Sequence, residues 1–218
     1  MNFKVSLFII ICCFGSSVVL SQATFSDSLS ANTSDFRPRI GGIEFTLNVG
    51  TYVPIYNLRK TLKVSPAIGF GFSVIISKKF ELQIGTNVFF PVNSNELGYI
   101  LTDTILVGKP SLSGVMGVWL TRVESIGKLY FWDNRIGTGL GFLQTDIKTN
   151  KPEEENDRVY SSETVFINVG TGFRRLVRDY KSIGIDIRYF YVPYNAFQKN
   201  LSSDFGNQYL TTSISYNF

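Results

Sequence analysis

Paired acidic side chains are the residues of this 218-residue sequence that are best suited to chemistry. Two nearby carboxylates can divide the work of a general acid and a general base between them. The chain has no histidine, so the commonest general base and the commonest metal ligand are absent. In several segments apolar and polar residues alternate, so the even and odd positions (the two parities) lie on opposite faces. Acidic and basic residues both occur on the polar parity, and opposite charges are expected to meet on that face. They are Glu44, Glu81, Asp133, Arg135, Asp186 and Arg188.

Two further motifs are weaker candidates for a ligand site. The acidic segment KPEEENDR, residues 151–158, lacks the spacing of an EF-hand, and a solvated loop explains it better than a calcium site. The glycines of GTGLG, residues 137–141, resemble those of a nucleotide-binding loop. The third glycine, however, comes one residue early and no helix follows. The sequence therefore predicts no metal, no cofactor and no enzymatic activity.

The charge balance is mildly basic. The formal net charge is +4 and the sequence pI is about 9.0, a balance that many nucleic-acid-binding proteins share. Lys and Arg are scattered over the predicted loops and turns and form no stripe. We therefore expect no nucleic acid partner.

Residues 1–23 have the features of a secretory signal peptide. Lys4 precedes an apolar run at residues 7–14, which is too short for a membrane helix. The small residues Ser21 and Ala23 then form a cleavage pattern. We expect cleavage after Ala23, with cleavage after Ser21 as the alternative.

Cleavage would remove both cysteines, Cys12 and Cys13, so disulfides are not expected to stabilise the exported protein. Residues 24–39 are polar and Ser-rich, and are expected to form a flexible periplasmic leader. Residues 40–218 remain as one domain. No apolar run in them reaches the roughly 20 residues that a membrane helix needs.

Apolar and polar residues alternate along that domain. In residues 43–50, IEFTLNVG, every second side chain is apolar. A period of two is the signal of a β-strand, and no helical period competes with it for long. The sequence predicts an all-β chain of about eight antiparallel strands. The alternating segments are residues 43–50, 67–76, 80–90, 111–121, 130–142, 165–173, 183–191 and 209–218.

The segment YILTDTILV, residues 99–107, also alternates and lies just before the fourth predicted strand. Pro110 stands between the two, and proline removes a donor from a strand ladder. We expect the segment to be an outward extension of the fourth strand or an arm of the second long loop. A ten-stranded barrel, with this segment and one more strand, is the alternative.

Short and long connections alternate between the predicted strands. This is the arrangement of an outer-membrane barrel, which has short periplasmic turns and long external loops. The sequence therefore predicts an antiparallel transmembrane up-and-down β-barrel at residues 40–218. The short connections are residues 77–79, 122–127 and 175–181, and the longer ones are residues 54–63, 92–110, 145–162 and 193–205.

Alternation alone leaves open which face points outward. A lipocalin-like carrier has its apolar face inside, whereas a membrane barrel has it against lipid. The polar parity is mostly Gly, Ser, Thr and Asn, which suits a crowded barrel interior better than a surface in water. The apolar parity is nearly free of charge in mid-strand, where a Lys or Arg facing lipid costs about 2–4 kcal/mol. We expect the apolar parity outside. Two aromatic girdles would flank it, one with Tyr130, Trp132, Tyr216 and Phe218, the other with Phe90, Tyr189 and Tyr191.

The ending SISYNF is the most specific motif, because apolar residues alternate up to the last position. With the signal peptide and the alternating strands, it resembles the small outer-membrane β-barrel proteins of Gram-negative bacteria, of the OmpA/OmpX and opacity-protein type within the porin-like barrels. The resemblance implies a place in the bacterial outer membrane, in contact with its lipid. It also implies that the barrel-assembly machinery recognises Ile214, Tyr216 and Phe218. Enzymes among outer-membrane barrels use a catalytic histidine, which this chain lacks.

Eight strands leave an interior just wide enough for side chains to fill it. The charged residues named first are therefore expected to form a lumen network of salt bridges and hydrogen bonds rather than a pore lining. The expected function is non-enzymatic, either in envelope structure or in binding an extracellular ligand, which the sequence does not identify, through the outer loops. A small-solute channel is the first alternative, and a soluble lipocalin-like carrier is the second.

Overall fold

The computed structural model describes residues 40–101, 104–147, 158–178, 181–197, 201 and 205–218. The predicted signal peptide and leader lie outside these ranges, and so do residues 151–157 of the acidic segment. What the sequence predicts for them stays a prediction. Among the described residues, no helix has the length and apolarity needed to cross a bilayer.

Antiparallel β-strands make up most of the described chain, as expected where side chains alternate between two faces. One short helix, α1 (Leu58–Thr61), lies between the first two strands. The strands are β1 (Ile43–Pro54), β2 (Ser65–Ile75), β3 (Phe80–Phe89), β4 (Leu97–Leu101), β5 (Thr104–Ser125), β6 (Tyr130–Ile147), β7 (Arg158–Arg178), β8 (Lys181–Tyr191) and β9 (Gln208–Asn217).

All strands except β4 form one closed ring. Consecutive ring strands pair antiparallel, β1 pairs with β9, and β3 pairs with β5. Closure leaves every ring strand with a partner on both sides, so the ring has no free edge. The predicted all-β, eight-stranded antiparallel barrel is confirmed.

The strand β4 lies outside the ring. It pairs with the first part of β5, from Leu97 opposite Gly108 to Leu101 opposite Thr104. The segment at residues 99–107 is thus divided between β4 and an outward extension of β5. The ten-stranded alternative is wrong, because β3 pairs directly with β5 and leaves no place in the ring for β4.

The strands β5, β6 and β7 are longer than predicted, at 22, 18 and 21 residues. Their pairing continues as far as Gly108 opposite Ile147 and Ile147 opposite Arg158. Pro110 does not end β5, because the register shifts between Pro110 and Leu112 and the irregularity accommodates the missing donor. The sheet therefore extends as an arm beyond the ring.

The two ends of the barrel differ in their connections, as predicted. One end, called the turn end, has the short connections at residues 76–79, 126–129 and 179–180, and also Phe218. The opposite end, called the loop end, has the longer connections. These are residues 55–64, which include α1, residues 90–103, which include β4, and residues 148–157 and 192–207.

The outer face of the ring is apolar and the inner face carries the polar parity. In mid-strand, Ile84, Ile136 and Ile185 are 48%, 55% and 63% exposed, whereas Thr121 and Asn168 are buried. This orientation is the one expected of a membrane barrel. It is the reverse of what the lipocalin-like alternative requires, because the apolar face is outside.

Aromatic side chains lie on the outer face near both ends, at the positions predicted for the two girdles. At the turn end the exposed rings are Tyr130, Trp132, Tyr216 and Phe218. At the loop end they are Phe90 and Tyr191, with Tyr189 half-buried beside them.

Candidate functional site

Charged side chains gather inside the ring, in the half nearest the turn end. They lie on the inward parity of β1, β3, β6, β7 and β8, and each is buried. The group, called the charge cluster, contains the residues predicted from the sequence and Arg174 in addition. Its members are Glu44, Glu81, Asp133, Arg135, Arg174, Asp186 and Arg188.

Arg174 is the centre of the charge cluster. Its Nη2 donates to Glu81 Oε1 at 2.6 Å, and its Nη1 donates to Glu44 Oε2 at 3.4 Å. Its Nε lies 2.9 Å from Asp133 Oδ2, and its Cζ lies 6.0 Å from the centroid of the Phe131 ring. The planar guanidinium group presents donors in several directions. One side chain of β7 therefore pairs with carboxylates from β1, β3 and β6.

Arg135 connects the rest of the charge cluster. Its Nη2 lies 3.3 Å from Asp133 Oδ2 and 3.0 Å from Asp186 Oδ1. Arg188 is paired more loosely, with Nη2 at 4.0 Å from Asp186 Oδ2. Asp133 contacts both Arg174 and Arg135, so the separate ion pairs form one network across the lumen.

Glycines on β7 and β8 make room for these side chains. A Cβ on Gly172 would lie 2.5 Å from Asp186 Oδ1, and one on Gly184 would lie 2.9 Å from Arg174 Cβ. The register places Gly172 between Asp133 and Asp186, directly opposite both. The small residues of the polar parity thus create the space that the large charged residues occupy.

The charge cluster is arranged for mutual neutralisation. Each of its carboxylates lies within ion-pair distance of a guanidinium group, which makes it less available to take a proton from a substrate. In the part of the chain that the structure describes, no three metal-binding side chains converge. The geometry supports cross-linking between strands better than it supports catalysis.

The sequence prediction missed Arg174. The sixth predicted strand ended at residue 173, whereas β7 continues to Arg178. Arg174 follows Asn168, Gly170 and Gly172 on the same inward parity. Continuing this alternation two residues beyond Gly172 would have predicted Arg174 as an inward-facing residue.

Aromatic side chains fill the lumen in the half nearest the loop end. The ring centroids of Phe190 and Tyr209 lie 4.8 Å apart at an interplanar angle of 15°. Tyr209 in turn lies 4.5 Å from Tyr52 and 5.0 Å from Phe89. These contacts connect opposite walls of the barrel. The aromatic cluster consists of Tyr52, Phe89, Trp119, Phe166, Phe190 and Tyr209, all of which are buried.

Trp119 anchors the aromatic cluster to the polar wall. Its Nε1 donates to Asn168 Oδ1 at 3.0 Å, and Asn168 Nδ2 donates to Tyr189 O at 2.7 Å. Trp119 therefore has a partner for its polar atom inside the lumen, as a buried indole usually does. Its ring lies 5.8 Å from that of Phe166, which continues the contacts to Phe190.

The sequence prediction also missed the apolar half of the lumen. It treated the inward parity as mostly polar, because Glu44, Thr46, Asn48 and Gly50 set the pattern of β1. Tyr52 is the next residue on that parity and is 2% exposed. Toward the loop end, the residues on this parity change from polar to aromatic. That change in the sequence would have indicated the aromatic half of the lumen.

Three loop segments close the loop end over the aromatic cluster. The loop cap comprises Leu58 and Leu62 around α1, Leu97 and Tyr99 of β4, and Val192, Tyr194, Leu201 and Phe205 after β8, all of them buried.

Hydrogen bonds attach the loop cap to the barrel wall. Ser162 Oγ donates to Tyr194 O at 2.7 Å, and Thr164 Oγ1 donates to Pro193 O at 2.6 Å. Ser113 Oγ shares a hydrogen bond of 3.2 Å with the Tyr194 hydroxyl. Burial raises the pKa of Tyr194 to about 12, although the bond from Ser113 lowers it in part. The hydroxyl therefore stays neutral at ordinary pH and can share its proton with the wall.

Gly206 is needed for the contact between two of these segments, the one around α1 and the one after β8. A Cβ on it would overlap the backbone nitrogen of Leu58, whereas one on Gly127 would meet nothing within 4 Å. We expect Gly206→Ala to displace α1 and to lower the free energy of unfolding by about 1–3 kcal/mol. Gly127→Ala is the matched control and should change it by less than about 0.5 kcal/mol. Equilibrium unfolding in denaturant measures both, and equal effects would contradict this account of the cap.

The predicted assembly residues lie on the outer face of β9 and at its end. Ile214, Tyr216 and Phe218 are 59%, 38% and 50% exposed. Phe218 and Phe45 exchange two backbone hydrogen bonds of 3.0 Å, and their rings lie 4.9 Å apart. Phe218 therefore completes the pairing of β9 with β1, at the place where the first and last strands close the barrel.

The sequence matches no protein-family model and no curated protein. Structures of similar fold are the N-terminal β-barrel domain of OprF from Pseudomonas aeruginosa, Neisserial surface protein A, and Ail, the attachment invasion locus protein of Yersinia pestis. Their identities to this chain are 9%, 11% and 12%, and their TM-scores are 0.40, 0.44 and 0.41. The matches cover 80%, 80% and 81% of this chain and 97%, 94% and 96% of the others. Likenesses of this size carry no weight for function.

Proposed function

We propose that this protein is an integral barrel of a bacterial outer membrane whose lumen is closed by its own side chains. Its function is non-enzymatic: it contributes to envelope structure or binds an extracellular ligand through the loop end. Its partners in this proposal are the lipid of that membrane and, during biogenesis, the barrel-assembly machinery. The turn end faces the periplasm and the loop end faces outward.

The outer surface supports the membrane position. Among the described residues, exposed charges on the ring strands lie near the two ends, as with Arg122, Arg175 and Glu163, and the mid-strand positions between them are uncharged and mostly apolar. In water so much contiguous apolar surface would cause aggregation, whereas lipid covers it favourably. The exposed rings near both ends suit the two interfaces of a bilayer.

The observation that best supports a closed lumen is that side chains fill it at two levels. The charge cluster crosses the turn-end half, and the aromatic cluster with the loop cap crosses the loop-end half. Eight strands give an interior that side chains can fill completely. A solute would have to displace both layers, so transport is not the function that this geometry favours.

Binding at the loop end is supported by how the loop cap is held. Its segments are hydrogen-bonded to the wall through Ser162, Thr164 and Ser113 and packed on the aromatic cluster. Binding residues commonly lie on loops that a rigid scaffold positions. The described part of the loop cap is held on the scaffold in this way.

A small-solute channel is the second candidate. The observation in its favour is that Nε of Arg135 and Nε of Arg188 are buried without a hydrogen-bond partner among the described residues. Such donors would suit the lining of a narrow polar passage. The aromatic cluster above them argues against it.

Fractionation of cells that express the protein tests the membrane position. We expect the folded protein in the outer-membrane fraction, extractable with detergent only. Folded protein in the soluble fraction without detergent would overturn the proposal.

Deletion of Phe218 tests the assembly residues. The change removes the aromatic end of β9 and its backbone hydrogen bonds with Phe45. We expect severalfold less assembled barrel in the membrane, while a barrel already folded loses only about 1 kcal/mol per hydrogen bond. Assembly is followed by the shift in gel mobility between folded and heated samples, and stability by unfolding in denaturant.

Phe173→Ala is the matched control for this deletion, because Phe173 is an exposed aromatic residue near the same end of the barrel. It should assemble normally. Equal assembly of the deletion variant and the wild type would remove the support for a terminal assembly signal.

A further inference from the structure

The exposed charges at the turn end are mostly positive. Those that the structure describes include Lys79, Arg122, Lys128, Arg175 and Lys181, against Glu124. Arg122 and Glu124 pair at 2.8 Å between Nη2 and Oε1, so cations remain in excess.

The loop end is balanced by comparison. Its described exposed cations are accompanied by a similar set of carboxylates, so neither sign is in clear excess there. They are Arg59, Lys60, Lys63 and Lys109, with Glu96, Asp146 and Glu163. The positive excess is therefore a property of one end of the barrel rather than of its whole surface.

The cations of the turn end lie beside the aromatic girdle. The Cζ of Arg175 lies 5.8 Å from the centroid of the Tyr130 ring, and that ring stacks on Phe173 at 5.6 Å. Aromatic rings of a girdle sit at the level of lipid headgroups. Positive side chains at that level meet the phosphates of the adjacent leaflet.

Exposed aliphatic side chains lie among these cations. Ile76, Ile126 and Val177 are 50%, 60% and 62% exposed at or near the short turns. A soluble polyanion would leave them in water. A lipid leaflet covers them and contacts the cations as well, as it does for amphipathic surfaces at an interface.

We infer that the turn end of the barrel selectively binds the headgroups of anionic phospholipids in the leaflet around it. The inference rests on the proposed membrane position and adds to it a lipid class and a set of residues. Each cation near an anionic surface contributes about a fivefold factor in binding. The attraction weakens as salt screens it.

Tryptophan fluorescence tests the inference directly. The chain has two tryptophans, of which Trp132 is 40% exposed near the turn end and Trp119 is 1% exposed in the lumen. The protein is folded into phosphatidylcholine vesicles that contain either brominated phosphatidylcholine or brominated phosphatidylglycerol. The signal of a Trp132→Phe variant is subtracted, so that quenching reports the lipids beside Trp132.

We expect brominated phosphatidylglycerol to quench Trp132 more strongly, with a relative association constant of about five or more that falls toward one at high salt. A variant with Lys79→Gln, Lys128→Gln and Arg175→Gln should lose this preference. A variant with Arg59→Gln, Lys60→Gln and Lys63→Gln removes the same charge at the loop end and should keep it.

Equal quenching by the two lipids in the wild type would overturn the inference and leave the membrane position standing. Equal loss of preference in both variants would overturn it too, because net charge alone would then explain the selectivity. If neither lipid quenches Trp132, the proposed membrane position fails and the inference fails with it.

Discussion

Replacing Arg174 with methionine is expected to lower the free energy of unfolding by about 3–5 kcal/mol. The substitution keeps an unbranched side chain but leaves Glu44, Glu81 and Asp133 without their shared guanidinium group. A buried carboxylate that loses its partner retains the cost of leaving water without the compensating attraction. The measurement is equilibrium denaturant unfolding of the barrel in lipid vesicles, followed by gel mobility.

Arg122→Met is the control for this variant. Arg122 also pairs with a glutamate at 2.8 Å, but both side chains are about half exposed to solvent. Ion pairs of that kind contribute about 0–1 kcal/mol. If both substitutions cost the same small amount, burial does not make the charge cluster important for stability.

A rescue variant separates lost charge pairing from lost volume. Adding Glu44→Gln and Glu81→Gln to Arg174→Met removes two of the buried charges that paired with the guanidinium group, so we expect at least about half of the lost stability to return. Arg174→Lys should retain little of the stability that Arg174→Met loses, since a single ammonium group cannot contact carboxylates in three directions. No recovery in the rescue variant would indicate that Arg174 acts through packing instead.

Replacing Phe190 with alanine is also expected to have a large effect, and to lower the free energy of unfolding by about 3–5 kcal/mol. Phe190 is fully buried, stacks on Tyr209 at 4.8 Å and contacts Phe166 at 5.8 Å. Removing its ring leaves a cavity between opposite walls of the lumen. Phe190→Leu retains part of the volume and should cost about half as much.

Phe173→Ala is the control for Phe190→Ala, since Phe173 points outward and is 40% exposed. It should lower the free energy of unfolding by about 1 kcal/mol, because lipid can replace much of the lost contact. The same denaturant titration compares the two. Comparable losses would mean that the aromatic cluster is not a packed core.

The ring of strands was predictable from the sequence because its cause is local. Side chains on a strand alternate between faces. A barrel whose inner and outer faces have different surroundings therefore needs a period of two, which residues 43–50 display. Connection length is also local, and it indicated which strands are joined by short turns. The extent of β5 to β7 was not predictable in this way, because partner strands continue the pairing beyond the alternating segments.

The candidate site was predictable only in part. Parity placed Glu44, Asp133 and Asp186 on the inward face, but it carries no information about distance across the lumen. Arg174 was missed because its predicted strand ended too early, and only the register brings its guanidinium group to Glu81 at 2.6 Å. Packing of Leu58 within the loop cap depends on contacts between segments that are far apart in sequence, such as its contact with Gly206.

Single-channel recording in planar bilayers tests the closed lumen most directly. The purified wild-type protein, folded as shown by gel mobility, is expected to give no steady unitary openings. A variant with Tyr52→Ala, Phe190→Ala and Tyr209→Ala removes the aromatic level alone and is also expected to stay closed, because the charge cluster still crosses the turn-end half. Steady, ion-selective openings of the wild type that vanish in an Arg135→Ala variant would contradict the account and assign the lumen to transport.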